Sequence, residues 1–166
     1  MPRIPFRILL AAAFGCGAGF LPGIASAQQV YLLETSCSTA VSKAFPCTVE
    51  AFNVEDATEY RHAFDGRTVS YRVIEDPYVR IQGRRSDGSP WLTVRNAWIN
   101  FKTNELCFND RAFCVINPTF LEDVKASGGG AFEGRELVGL AFANSGRVDV
   151  ACFDNGCARL LEAIGR

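Results

Sequence analysis

The most chemically suggestive residues of this sequence are four arginines and two tryptophans within residues 80–98. The group comprises Arg80, Arg84, Arg85, Trp91, Arg95 and Trp98. Guanidinium groups form forked hydrogen bonds with carboxylates or phosphates, and aromatic faces stack on sugars. The group therefore predicts a surface for an anionic glycan or an acidic loop of a partner protein. The alternative is a solvated arginine loop beside core tryptophans, because both residue types are common in those structural roles.

Three pairs of adjacent carboxylates offer a second kind of chemistry, because glycosidases use two positioned carboxyl groups. The pairs are Glu55-Asp56, Glu75-Asp76 and Glu122-Asp123. A small hydrolase of envelope polymers is therefore an alternative function. Each pair, however, lies at a predicted turn or helix start, where acidic side chains accept backbone hydrogen bonds or face the helix dipole. We expect these pairs to be structural.

The chain has a single histidine, His62, which any metal site or Ser/His/Asp triad built on histidine would have to use. This histidine alternates with its neighbours as in an ordinary strand. No Gly-x-Ser-x-Gly nucleophile motif occurs. The run Gly128-Gly129-Gly130 lacks the Gly-Lys-Ser/Thr of a phosphate loop and is typical of a linker. We expect no enzyme activity, no metal and no cofactor.

The overall charge excludes one class of partner. The sequence has 17 basic and 18 acidic residues, a net charge of -1, and no long run of one sign. A dedicated nucleic-acid binder would show a basic patch or stripe. Nucleic acid is therefore not an expected partner.

The first 27 residues resemble a secretory signal peptide. Arg3 and Arg7 precede an uncharged stretch over residues 8–24, and Ala25-Ser26-Ala27 supplies small residues for cleavage. The stretch is too short and too rich in glycine for a membrane span of about 20 residues. We expect a periplasmic or secreted protein, starting at residue 28 and without a transmembrane segment. The alternative is a lipoprotein anchored to the membrane through Cys16.

Six cysteines remain in the expected mature chain: Cys37, Cys47, Cys107, Cys114, Cys152 and Cys157. An even number suits an oxidising compartment, and six cysteines permit 15 pairings. The spacing favours pairing in sequence order, in three local couples. A hairpin over residues 106–115 would place Cys107 opposite Cys114, and Asp154-Asn155-Gly156 would form a tight turn between the last two cysteines. The wider spacings disfavour zinc.

Alternation of apolar and polar residues predicts mostly strands. The segments are 49–54, 58–64, 67–82 with a bend after residue 74, 91–101 with a bulge near residues 95–97, 105–115, 135–143 and 147–153. Helical signals are limited to a capped segment at residues 117–125 and a terminal turn at 158–164. Residues 28–166 are therefore predicted to form one mainly β domain with about eight or nine strands. It would be a small antiparallel sandwich or barrel with one or two short helices and three local disulfides. An α+β fold is the alternative.

Together these features predict an exported, non-catalytic, inhibitor-like binding protein. The loop at residues 83–90 would present the contact surface to a protein or glycan of the envelope or extracellular space. In size, export and disulfides, the chain is similar to small exported β proteins that inhibit lysozymes or proteases of the bacterial envelope. This similarity is one of general plan and implies no site residues.

Overall fold

The computed structural model describes residues 27–157 of the chain. The predicted signal peptide, apart from Ala27, and the predicted terminal turn at residues 158–164 lie outside the described residues. No helix in the described part is long and apolar enough to cross a membrane.

In residues 27–157, a single antiparallel sheet of 11 strands dominates, in the order β11-β10-β7-β8-β9-β1-β2-β3-β4-β5-β6. The strands are β1 (Gln28–Thr39), β2 (Ser42–Val54), β3 (Ala57–Phe64), β4 (Arg67–Ile74), β5 (Arg80–Arg84), β6 (Leu92–Thr93), β7 (Asn96–Asn100), β8 (Glu105–Phe108), β9 (Phe113–Ile116), β10 (Leu137–Phe142) and β11 (Val148–Phe153), and the helix α1 is Pro118–Ser127. The mainly β, antiparallel prediction is confirmed, with more strands than the expected eight or nine.

The sheet curls into a half-barrel because two consecutive residues of the chain, Val94 and Arg95, contact strands near its opposite ends. The backbone N–H of Val94 donates to Ile81 of β5, while the carbonyl of the next residue, Arg95, accepts from Phe142 of β10. Adjacent Cα atoms are only about 3.8 Å apart, so β5 and β10 must come close. The alternation of apolar and polar residues is therefore disrupted at residues 95–97 because the chain crosses over there. The prediction of a bulge at this position is wrong.

The core fills the inner face of the half-barrel. Alternate residues of the strands point inward, as a period of two requires. Buried members of the core from seven strands are Val49, Tyr71, Ile81, Ile99, Phe108, Val115 and Val138. The helix α1 adds Leu121, which is buried, and Phe120, whose ring packs edge-on against Tyr60. The N-cap of α1 is Asn117, as predicted, and its side chain accepts a hydrogen bond from the Phe120 N–H.

Strand β1 is the main element that the sequence pattern does not predict. Its inner face, including Tyr31 and Leu33, packs against the core. Leu32 points outward and is exposed, so the sequence shows a continuous apolar run where a strand with one buried face would alternate. The turn from β3 to β4 is clearer, because Asp65 and Gly66 both have positive φ, as a tight two-residue hairpin requires.

The three disulfides join the predicted couples. The Cα–Cα distances are 5.7 Å for Cys37–Cys47, 4.0 Å for Cys107–Cys114 and 4.9 Å for Cys152–Cys157. As predicted, Cys107 lies opposite Cys114 in the β8–β9 hairpin. The segment between Cys152 and Cys157 differs from the predicted tight turn at residues 154–156. Asp154 forms a turn with positive φ, but residues 155–157 are helical. Three disulfides are consistent with a periplasmic or extracellular location.

Trp98 covers the outer face near two of these disulfides, and Gly139 makes this packing possible. A Cβ at Gly139 would lie 2.5 Å from the Trp98 ring and 2.6 Å from the Cys152 sulfur. Gly139→Ala should therefore lower the free energy of unfolding by about 1–3 kcal/mol through overpacking. Urea denaturation measures this loss. The matched control is Gly156→Ala, which has open space around the new methyl group and should cost nothing. An equal response of the two variants would contradict the packing.

Candidate functional site

A cleft of about 1390 Å³ opens at one end of the half-barrel. Its walls come from the β3–β4 turn, the long β5–β6 loop and the β8–β9 turn. Four arginines and one aspartate line it: Arg67, Arg84, Arg85, Arg95 and Asp87. The lining therefore has a formal charge of +3, in a chain whose net charge is -1. A concave site lined by charge of one sign attracts ligands of the opposite sign.

The floor of the cleft is apolar and aromatic. Phe64, Tyr71 and Phe113 line it, and the ring of Phe113 is stacked against each of the other two, at centroid distances of 6.0 and 5.8 Å. Tyr71 also stacks on Phe108 at 3.9 Å. On the rim, Leu92 is 66% exposed. The cleft thus combines a cationic rim with apolar surface.

Arg67 and Arg85 are the two arginines of the rim that are available to a ligand. The strand period of two places Arg67 on the same side of β4 as Tyr71. It places Arg85 on the same side as Gly83 of β5, which pairs with Tyr71 and faces the inside of the half-barrel. Both side chains are exposed, and neither forms an ion pair with any residue that the structure describes. Their hydrogen-bond donors therefore face solvent.

Tyr71 is 6% exposed, and its hydroxyl lies within range of the positive charge of Arg85. Burial raises the pKa of the Tyr71 hydroxyl above its ordinary value, while the positive charge of Arg85 acts in the opposite direction. The hydroxyl consequently remains protonated at neutral pH and can donate a hydrogen bond. It forms none with the residues described here, so this donor is free for a ligand.

Arg84 contributes to the cleft lining, but its guanidinium points to the outer face of the sheet. Its Nη2 lies 2.7 Å from Oε1 of the buried Glu59, and the same oxygen accepts from Nε of Arg61 at 2.9 Å. The Trp91 ring covers the guanidinium of Arg84 at 4.5 Å and that of Arg72 at 4.6 Å. We call Glu59, Arg61, Arg72, Arg84 and Trp91 the outer cluster. Cation–π contacts and a nearly buried ion pair hold it together.

The structure divides the predicted arginine and tryptophan group among several locations. Arg84, Arg85 and Arg95 border the cleft, and Arg95 also pairs with Asp110 at 3.3 Å. Trp91 belongs to the outer cluster. Arg80 lies at a different place, against the ring of Tyr78 and beside Gly146. Trp98, on β7, covers Gly139. These last two residues do not line the cleft.

The adjacent carboxylate pairs also lie outside the cleft lining. Glu55-Asp56 forms the exposed β2–β3 turn, and Glu75-Asp76 lies in the exposed bend after β4. Glu122-Asp123 is in the middle of α1. The prediction that this pair lies at a helix start is wrong, because the helix begins at Pro118. Among the described residues, the only carboxylate in the lining is that of Asp87, which pairs with Arg84 at 3.4 Å.

His62 lies under the cleft floor as a core residue. It is 2% exposed, packs edge-on against Tyr71 and Phe113, and its Nδ1 lies 3.1 Å from the Val69 carbonyl oxygen. Burial lowers the pKa of His62 to about 4. Its neutral imidazole is therefore part of the folded state at neutral pH.

The lowered pKa predicts a loss of stability in acid. Between pH 6.5 and 4 the unfolded chain binds a proton at His62 that the folded chain rejects, so the free energy of unfolding falls as the pH falls. From pH 7 to pH 5 this contribution is about 2 kcal/mol. His62→Phe should lose about 2 kcal/mol less than the wild type over this range in urea denaturation. Identical pH profiles would show that His62 is not the residue responsible.

One group of possible metal-binding atoms occurs in the described part, formed by Glu105, Cys107 and Cys114. The two sulfurs are bonded to each other, so neither is a thiolate ligand. Glu105 instead pairs with Arg111 at 3.2 Å. The group supports no metal site.

Sequence reasoning does not identify Arg67, Tyr71 or the phenylalanines of the floor. Arg67 is eighteen positions before Arg85 in the chain, and the two reach the same cleft only through the pairing of β4 with β5. One local signal was available, because Asp65-Gly66 predicts a tight hairpin turn directly before Arg67. That turn forms part of the cleft rim. The aromatic residues have the ordinary pattern of a core.

Comparison with protein-family models, with curated proteins and with solved structures finds no match to this chain. We therefore classify residues 27–157 by their architecture alone. They form a mainly β, disulfide-bonded half-barrel with an arginine-lined cleft.

Proposed function

We propose that this chain is an exported, non-catalytic binding protein, and that the arginine-lined cleft is its contact surface. The observation that carries the proposal is the pair Arg67 and Arg85, two exposed guanidinium groups without ion-pair partners in the described part, above an apolar floor. Unpaired arginines at a concave site are suited to a carboxylate or phosphate ligand. The partner is an anionic protein or glycan of the envelope or extracellular space.

The alternative of an envelope-polymer hydrolase receives less support. A glycosidase needs two carboxyl groups flanking one bond, about 5–9.5 Å apart. Within residues 27–157 the cleft lining offers Asp87 alone, and its carboxylate already pairs with Arg84. We therefore retain the binding function as the proposal.

A capture experiment tests the proposal. Purified protein and its Arg67→Gln/Arg85→Gln variant are incubated with envelope and secreted fractions of the native host, at low and at raised salt. We expect a component that the wild type retains at low salt and that the variant does not retain, because the contact depends on the two charges. Equal retention by both proteins, or no retained component at any salt concentration, would contradict it.

A further inference from the structure

The apolar part of the cleft distinguishes between the two ligand classes that arginines alone would accept. We infer that the cleft binds an acidic protein loop, in which an apolar side chain lies next to a carboxylate, and not an anionic glycan. The inference rests on the proposed function and specifies its ligand.

Two of the three aromatic residues of the floor, Tyr71 and Phe113, offer no free face for a sugar. One face of Tyr71 is stacked on Phe108 at 3.9 Å. A Cβ built on Gly83 would lie 2.8 Å from the Tyr71 ring, so the backbone of β5 also packs closely against it. Phe113 is buried and stacked on Phe64 and Tyr71. Sugar recognition by aromatic residues needs an open ring face, which neither residue provides.

Leu92 favours a protein ligand. It is 66% exposed, lies on the rim of the cleft, and pairs in register with Gly83, which places it on the same side of the sheet as Tyr71. Val69 and Pro90 extend this apolar surface. A protein loop can bury such surface with an apolar side chain, which gains about 25 cal/mol for each Å² removed from water. A polyanionic glycan has no equivalent group.

The cationic rim of the cleft is complementary in charge to an acidic ligand. Arg67 and Arg85 supply forked donors for a carboxylate, and the Tyr71 hydroxyl, which also lines the cleft, supplies a further donor. An acidic residue adjacent to an apolar one would reach both parts of the cleft simultaneously. The occupant that fits the cleft is therefore an acidic and apolar segment of a partner protein.

Calorimetric titration of the full protein with two probes of equal charge tests the inference. The first probe is a capped hexapeptide of alternating aspartate and leucine, and the second is trigalacturonate; each has three carboxylates. We expect the peptide to bind at least tenfold more tightly. Leu92→Ser should weaken peptide binding about tenfold, the equivalent of about 1.4 kcal/mol of apolar contact, and leave trigalacturonate binding unchanged.

The outcomes separate the inference from the proposed function. Equal or tighter binding of trigalacturonate would overturn the protein-loop inference while the anion-binding cleft stands. Peptide binding that Leu92→Ser does not alter would also overturn it. If neither probe binds at millimolar concentration, the anion-binding cleft itself is contradicted.

Discussion

Replacing Arg67 and Arg85 with glutamine should weaken binding of a carboxylate ligand by at least about 100-fold. Each hydrogen bond to a charged group contributes about 1.5–3 kcal/mol, and the double variant removes two charged donors while keeping side chains of similar shape. Because both arginines are exposed and lack ion-pair partners in the described part, stability should change by no more than about 0.5 kcal/mol. Calorimetric titration with the aspartate–leucine hexapeptide measures the affinity.

A matched control separates a local effect from one of net charge. Lys102→Gln/Lys125→Gln removes two exposed positive charges that do not line the cleft. This variant should bind the peptide within about threefold of the wild type at 0.15 M salt, where charges more than about 8 Å away are largely screened. If the arginine and lysine variants lose affinity equally, binding depends on general charge and the cleft is not the site.

Glu59→Gln should have the largest effect on stability, lowering the free energy of unfolding by about 3 kcal/mol. Glu59 is 7% exposed, and one of its oxygens pairs with both Arg61 and Arg84. The substitution leaves the guanidinium of Arg84 without a buried countercharge, beneath the ring of Trp91. Urea denaturation measures the change.

The control for this prediction is Glu50→Gln. Glu50 lies opposite Arg61 on the neighbouring strand and forms no ion pair with the described residues, so its replacement should cost less than about 1 kcal/mol. Arg84→Gln, alone and combined with Glu59→Gln, completes a double-mutant cycle. A coupling below about 0.5 kcal/mol would contradict the account of the outer cluster.

The outer cluster also bears on the cleft, because Arg84 and Arg85 are adjacent in the chain. Successive residues of a strand point to opposite faces, so holding Arg84 against Glu59 and Trp91 directs Arg85 inward. Loss of Glu59 should therefore reduce peptide affinity as well as stability. The Glu59–Arg84 ion pair thus contributes both to the stability of the fold and to the orientation of Arg85 in the proposed binding surface.

Local patterns predict the parts of this fold that local interactions determine. The hairpin between Cys107 and Cys114 follows from a polar turn between two apolar segments, and the start of α1 follows from Asn117 and Pro118. In the same way, the spacing of the cysteines predicts all three disulfides. Each of these features depends on residues within about ten positions of one another.

Long-range pairing determines the features that the sequence does not predict. The curl of the sheet is visible only in the hydrogen bonds of Val94 and Arg95 to opposite ends of the sheet. Arg67 and Arg85 line the same cleft only because β4 pairs with β5. The residue pattern also cannot show that Arg84 faces outward to Glu59, since this depends on three adjacent strands. The arginine group of the sequence thus contains one residue of the proposed pair, Arg85, and lacks the other.

The most direct test of the proposed contact surface is site-specific photocrosslinking in the native host. A photoreactive amino acid is placed at Ser86, which lines the cleft and is exposed, or at Asp149, which is exposed on the edge strand β11. We expect one discrete crosslinked partner from position 86, lost in the Arg67→Gln/Arg85→Gln background, and none from position 149. Crosslinks from both positions alike, or from position 149 alone, would contradict the cleft as the contact surface.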